Sequence, residues 1–497
     1  MKKSYISFIG IAFMVCLCLS SCLEDAIEES TPQNGYRINI PIQSPSTKAV
    51  TDEGVASFKT TENVYLYNIS TSTLETTVLH PASNAAKTHI TTDGEEYLAM
   101  SYAEGNELKV LYNTNSSGVV DYSSQDGSID NVIDAGVGTV TITDISGGSI
   151  TTSEAALDNL QSIFKFTFQC GGNVISGIRF VRIFSSQNKL VTEYNAITGA
   201  ATKYGPVTVS RNDNLTYIYA GLRFDAILSD EIVFQVVDQD GKVYSGSKAA
   251  PSGGFEIGKF YNTSVDVTSH VFSVASGKQV YIAPGNLGKY GSPSSTFSFV
   301  EPFTVWFTKA SNWYSYQETY PAGTNNIKRT FFGQEETSSA NDTPKAFSVY
   351  DVNNWKVLKN SEWNYLLLSN EGRTMNGSVK KYYEIKDLSS KYCLLIPPDD
   401  ATDEDVAGLT AGSVTNNINY ILYLKKGFVL LTADGYTNGK TLYQSDISYG
   451  GQYISATIPA NAKVAVLRFK NYGTHVEQNV AVSYNNSYSA RLVHGIQ

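Results

Sequence analysis

From residue 36 onward, short stretches of alternating apolar and polar residues dominate the chain, separated by Asn, Gly, Ser and Asp. A period of two is the signature of a half-buried β-strand. It predicts strands over 36–42, 163–168 and 263–267, and short stretches bounded by Asn, Gly, Ser and Asp predict more over 64–69, 108–112, 137–145, 178–184 and 216–220. The cleanest is 163–168, with Phe164, Phe166 and Phe168 on one face and Lys165 and Thr167 on the other. The stretch 232–244 is broken by Asp240-Gly241, a pair that favours the positive backbone angles of a two-residue hairpin turn, so 232–238 is expected to pair back on 242–244. Asp238 and Asp240 lack the further ligands of a calcium loop at the required spacing, which leaves the turn as their role. More strands are expected over 420–424, 463–469, 479–484 and 489–494. Helical spacing is scarce. The best helix starts with Asn360 or Ser361 as N-cap, Glu362 in its first turn, and Trp363, Leu366 and Leu367 on one face.

These strands group into two successive all-β modules, 49–160 and 161–268, followed by a third region, 270–497, in which Trp306, Trp313, Trp355 and Trp363 all fall. Three domains also match a length of 497 residues at about 150 per domain. Only 17% of residues are charged, while Tyr supplies 33 positions and Gly 39, so the chain is aromatic and rich in turns. With 37 Lys plus Arg against 47 Asp plus Glu there is no basic block to neutralise phosphates, which excludes nucleic acid as a partner. A hydrophobic content of 42% with one long apolar run excludes both a polytopic membrane protein and a wholly disordered one.

That run lies at the N-terminus. Lys2 and Lys3 precede the apolar stretch 5–19, and Leu19-Ser20-Ser21-Cys22 follows, an arrangement that reads as a secretory signal over 1–21. The stretch is shorter than the roughly 20 residues of a spanning helix. Its last four residues resemble a bacterial lipobox, which makes Cys22 the lipidation site and 22–48 a tether carrying one strand. Glu24, Asp25, Glu28 and Glu29 just after the cysteine read either as a solvated acidic linker or, by resemblance to lipoproteins of Bacteroidetes-like bacteria, as a signal for the outer face of the outer membrane. Of the five cysteines, Cys16 and Cys18 leave with the signal, and Cys170 and Cys393 remain as two expected buried free thiols.

The first two modules resemble the fimbrillin family of Bacteroidetes-type (type V) pilins. The resemblance rests on the lipobox, on Leu157-Asp158-Asn159-Leu160-Gln161-Ser162 leading into the Phe-rich strand, and on Asp240-Gly241-Lys242-Val243-Tyr244 with Gly258-Lys259-Phe260-Tyr261. It implies two transthyretin-like β-sandwiches, and proteolysis after a basic residue that removes the first strand and opens a groove for a neighbour's strand. Ser46-Thr47-Lys48-Ala49-Val50 looks like that site, with Lys48 where arginine is usual and Ala49 as the new N-terminus. The third region resembles an α+β C-type-lectin-like domain. The matching stretches are Val280-Tyr281-Ile282-Ala283-Pro284-Gly285-Asn286-Leu287, Trp355-Lys356-Val357-Leu358, Leu395-Ile396-Pro397-Pro398-Asp399-Asp400, Gly451-Gln452-Tyr453 and Ala490-Arg491-Leu492-Val493. The proline-bearing triplets of calcium-dependent lectins are absent, so calcium-mediated sugar binding is not implied.

Candidate chemistry is sparse. His80, His89, His270, His475 and His494 are scattered, and no metalloprotease, P-loop, nucleophile-elbow or dinucleotide motif occurs, so no enzymatic activity, cofactor or metal is expected. Asp399, Asp400, Asp403, Glu404 and Asp405 read as a solvated loop rather than a cation site. Trp313, Tyr314, Tyr316 and Tyr320 offer either a face on which sugar rings stack or plain core packing. The expectation is thus a mainly β fimbrial tip subunit, exported as a lipoprotein precursor, joined to other fimbrial subunits by donor-strand insertion, with an adhesive head for a surface glycan or protein. The alternative is a permanently lipid-anchored glycan-binding protein.

Overall fold

The computed structural model describes residues 35–43, 57–92, 96–225, 231–289, 297–300, 347–368, 370, 372–433, 436–438, 441–443, 450–455, 463–471, 474–483 and 486–496. The structure is 53% strand and 4% helical, a mainly β fold with sandwich sheets. The described residues fall into two units, one drawn from 1–43, 58–112 and 138–157, the other from 44–57, 113–137 and 158–497.

In the first unit the strands form one row: Thr73–Leu74, Val64–Asn68, Glu107–Tyr112, Gly136–Ser146, Ser149–Thr152, Arg37–Gln43, Lys87–Thr91 and His80–Pro81. The row curls on itself, because Val64 and Leu79 exchange backbone hydrogen bonds of 2.8 and 2.9 Å. Curling places one face of every strand inside, and the core gathers Ile38, Ile40, Ile42, Leu66, Val110 and Ile142. Ile38, Ile40, Ile42 and Ile142 come from alternating stretches, so there period two in the sequence becomes one wall of a shared interior.

The second unit begins with another sandwich. Its row runs Ala200–Tyr204, Leu190–Asn195, Tyr217–Phe224, Ser162–Cys170, Phe260–Ser269, Val243–Ala249, Glu231–Asp238, Ile178–Ser185 and Val207–Ser210. Residues 113–137 fold with it: Val119–Asp121 pairs with Leu190–Asn195, and Ser124–Gln125 with Val207–Ser210. Phe164, Phe166 and Phe168 are buried together as the alternation predicts, and Phe234 packs edge-on to both Phe166 and Phe168 at 5.0 and 5.3 Å. The hairpin at Asp240-Gly241 forms with a longer loop than the expected two-residue turn. The Asp238 amide donates to Lys242 O at 3.2 Å, and Asp238 Oδ1 accepts from the amides of Asp240 and Lys242, so the side chain of Asp238 sets the loop length. Gly241 alone takes the positive φ, +75°, and a Cβ there would lie 2.5 Å from the His494 ring.

The same unit continues into the C-terminal region. A six-stranded sheet there takes in Phe272–Ala275, Lys278–Lys289, Phe297–Val300, Phe347–Val349, Val352–Val357 and Arg491–Gly495. A four-stranded sheet of Thr415–Ile418, Tyr383–Asp387, Tyr392–Ile396 and Val429–Thr432 lies in the same region. The helix Asn360–Leu367 forms, with Lys359 rather than Asn360 or Ser361 as N-cap; Glu362 reaches back to accept the Lys359 amide at 2.7 Å, half of a capping box. The strand expected over 420–424 is instead a helical turn, Ile421–Leu424. Asn419 Oδ1 accepts the Ile421 amide at 3.2 Å and starts the turn, and Gly427 at φ +80° follows it.

Two strands of the second sandwich, Ile178–Ser185 and Glu231–Asp238, are buried on both faces. Their outward side chains belong to the C-terminal region's cores: Phe180 and Val237 join Trp355, Phe299 and Leu492, while Phe184 and Val233 join Tyr383, Leu395 and Phe428. Between them Arg182, fully buried, donates to Pro284 O at 2.9 Å and Phe299 O at 2.6 Å. Sandwich and C-terminal region therefore share one continuous interior.

Candidate functional site

The strand Arg37–Gln43 alternates as RINIPIQ, and its pattern decides its place: Ile38, Ile40 and Ile42 point into the first unit's core while Arg37, Asn39 and Gln43 are exposed. It is paired on both sides. Lys87–Thr91 runs antiparallel to it, with Asn39 opposite Thr91 and Gln43 opposite Lys87. On the other side Ser149–Thr152 and then Ala155–Ala156 run parallel to it. Withdrawing such a strand would bare two rows of backbone donors and acceptors and a slot three isoleucines deep. At about 1.5–3 kcal/mol per fully buried aliphatic side chain, that slot has a strong demand for another occupant. Pro41, in mid-strand opposite His89, has no amide to donate, so the ladder is incomplete at that point.

One rim of this slot is braced by a buried carboxylate. Glu75, 1% exposed, accepts at Oε1 from the amides of Thr76 and Thr77 at 2.9 and 3.1 Å. Its Oε2 accepts from the amides of Ala99 and Met100, both at 3.1 Å, and from the Tyr102 hydroxyl at 2.9 Å. The braced segment meets the start of the first strand: Leu98 N donates to Tyr36 O at 2.8 Å, and the Tyr36 and Tyr102 rings meet edge to face at 5.8 Å. Burial alone would push the Glu75 carboxyl up, but the amides of Thr77, Met100 and Ala99 together with the Tyr102 hydroxyl outweigh it and hold the group below the usual carboxylate range. The same pairing and burial raise the Tyr102 hydroxyl. Glu75 was not singled out by pattern; an acid followed by two threonines is its only sequence signal.

At the other end of the chain Arg491–Gly495 is paired on both sides, with Lys278–Lys289 and with Val352–Val357. Arg491 pins it from below, donating to Asn286 Oδ1 at 3.0 Å, Ala283 O at 2.9 Å and Leu430 O at 2.7 Å. A strand held in this way is part of its own domain's framework.

Cys22, Lys48 and Ala49 lie outside the described residues, as do Trp306, Trp313, Tyr314, Tyr316 and Tyr320. Trp355 and Trp363 are core residues, 0% and 1% exposed. The acidic stretch is committed to local structure. Asp399 takes Ser273 Oγ at 2.6 Å and buried Arg373 at 3.2 Å, Asp403 takes the Ser378 amide at 2.8 Å, and Asp405 takes the Thr402 amide at 2.9 Å. Cys170 and Cys393 are free, and Cys393 is buried as expected, whereas Cys170, at the end of its strand, is only half-buried.

No family model matches the chain, and no curated protein sequence does. Solved structures from Bacteroidetes adhesion and fimbrial systems do. A protein assigned to cell adhesion from Bacteroides uniformis ATCC 8492 is 13% identical, covering 46% of this chain and 96% of its own, at a TM-score of 0.31. A fimbrial assembly protein from Parabacteroides distasonis ATCC 8503 is 9% identical, covering 49% of this chain and 94% of its own, at 0.26. The tip fimbrial protein Mfa3 of Porphyromonas gingivalis, solved with a C-terminal truncation, is 10% identical, covering 44% of this chain and 84% of its own, at 0.25. Likenesses this distant transfer neither a role nor a site to the present chain.

Proposed function

We propose that the chain is the precursor of a fimbrial tip subunit. It is exported as a lipoprotein through Cys22 and cut between Lys48 and Ala49, and it then accepts a partner subunit's strand where Arg37–Gln43 had lain. The observation that carries this reading is the placement of that strand: central, paired on both sides, fitted by three isoleucines, weakened at Pro41, and N-terminal to the cleavage motif, so that one cut separates it from the rest. Strand addition to a bared sheet is a recurring mode of recognition, with main-chain bonds supplying affinity and alternate side-chain pockets supplying register.

A stalk subunit must also donate a strand. Arg491–Gly495, paired on both sides, is unsuited to act as that donor strand. In this reading the two sandwiches form the fimbrillin body, and 270–497 is a C-type-lectin-like adhesive head whose contact face includes Trp313, Tyr314, Tyr316 and Tyr320. The function is structural and adhesive rather than enzymatic, and the partners are other fimbrial subunits and a surface glycan or protein.

Immunogold labelling of cells that carry a tagged copy tests it. Label at the free ends of filaments is the expected outcome. Label spread over the outer membrane, with filaments bare, would overturn the tip reading in favour of a permanently lipid-anchored glycan binder.

A further inference from the structure

The face of the second sandwich that meets the C-terminal region carries a polar row in an otherwise apolar setting. Arg182, Gln235 and Ser245 are successive cross-strand partners on Ile178–Ser185, Glu231–Asp238 and Val243–Ala249, so their side chains share one face. All three are buried. Arg182 reaches the carbonyls of Pro284 and Phe299. Gln235 Oε1 and Ser245 Oγ have no hydrogen-bond partner among the described residues, although they are 7% and 5% exposed as residues. An unmet buried polar atom is destabilising, and here two stand side by side.

Both residues line a cavity of about 20 Å³ whose far wall comes from the C-terminal region, with Pro284, Leu430 and Arg491 among its residues. Its size and chemistry select the occupant. A cavity needs roughly 10–15 Å³ to hold one water, so about 20 Å³ gives room for a single molecule of that size and is too small for an organic ligand. A cation is disfavoured, because the lining has no carboxylate and includes a guanidinium. An anion is disfavoured by the bare amide oxygen of Gln235, which can only accept.

We infer that Gln235 and Ser245 bind one internal water molecule where the second sandwich meets the C-terminal region. The water donates to Gln235 Oε1 and bonds Ser245 Oγ, meeting both buried atoms at once. Because one molecule serves both side chains, removing either side chain releases it.

A high-resolution crystal structure of the full chain should show an ordered water about 2.7–3.2 Å from both atoms. A double-mutant cycle with Ser245→Ala and Gln235→Leu should show strong coupling, the double variant melting no lower than the poorer single variant. A dry cavity, or Gln235 turned onto a protein donor, overturns the inference. Melting losses that simply add, at sites this close, also overturn it.

Discussion

The Tyr102 hydroxyl donates to Glu75 Oε2 at 2.9 Å, the fifth hydrogen bond to a carboxylate that is almost wholly buried. Glu75 thereby holds the segment against which the first strand begins. In Glu75→Gln the amide NH2 would face donors, leaving buried N–H groups unmet at about 1–3 kcal/mol each. The expected result is a loss of about 2–4 kcal/mol in urea unfolding. The pH dependence has a definite sign. The folded carboxyl is held below its ordinary value, so its stabilisation is complete above about pH 4.3 and fades as the pH falls through the lower folded value. The gap between wild type and Glu75→Gln should therefore close on acidification in that range and stay constant at neutral pH. A gap that widened in acid would contradict the account.

Ile40 is the middle of the three inward isoleucines and is completely buried. Ile40→Ala should cost about 2–5 kcal/mol through lost burial and the cavity left behind. In protein cut after Lys48 it should also speed the departure of the first strand, read as faster uptake of a labelled peptide with the sequence of residues 36–43. Unchanged uptake would mean that the slot does not govern strand exchange.

Arg182 joins the second sandwich to the C-terminal region through two carbonyls. Arg182→Met keeps most of the volume but leaves both carbonyls without that donor, at an expected cost of about 2–4 kcal/mol. Because Phe180, Phe184, Val233 and Val237 are shared between the two parts, wild type should unfold across 161–268 and the C-terminal region in one transition, and the variant should separate them in hydrogen exchange. Equal protection in both proteins would show that the shared apolar contacts suffice.

Trp313→Ala should abolish adhesion to the cognate surface without lowering the melting temperature if the aromatic cluster is the contact face. A lowered melting temperature would instead assign that tryptophan to the core.

Much of the fold was legible because alternation carries its own geometry: the strands at Arg37–Gln43 and Ser162–Cys170 both follow from period two. Where the sequence misled, a competing local interaction decided the outcome. The apolar run Ile421–Leu424 fits a strand or a helix equally well, and the Asn419 side chain, accepting the Ile421 amide, favours the helical turn. Asp238 added its own bonds to the expected hairpin and lengthened the loop. That both faces of 178–185 and 231–238 are covered was not read from the sequence, although apolar residues at consecutive positions in both stretches are the physical sign of it. Of the candidate site, the alternating strand was readable, whereas Glu75, Arg182 and Arg491 were not, because a buried charge is defined by the distant carbonyls and amides it finds.

The central claim is that the first strand is removed and replaced at the cell surface, and the mature N-terminus tests it most directly. Mass spectrometry of sheared filaments and of washed membranes would read that terminus together with the lipid state. An Ala49 start in the filament fraction is the predicted result; acylated Cys22 alone, confined to membranes, would contradict it.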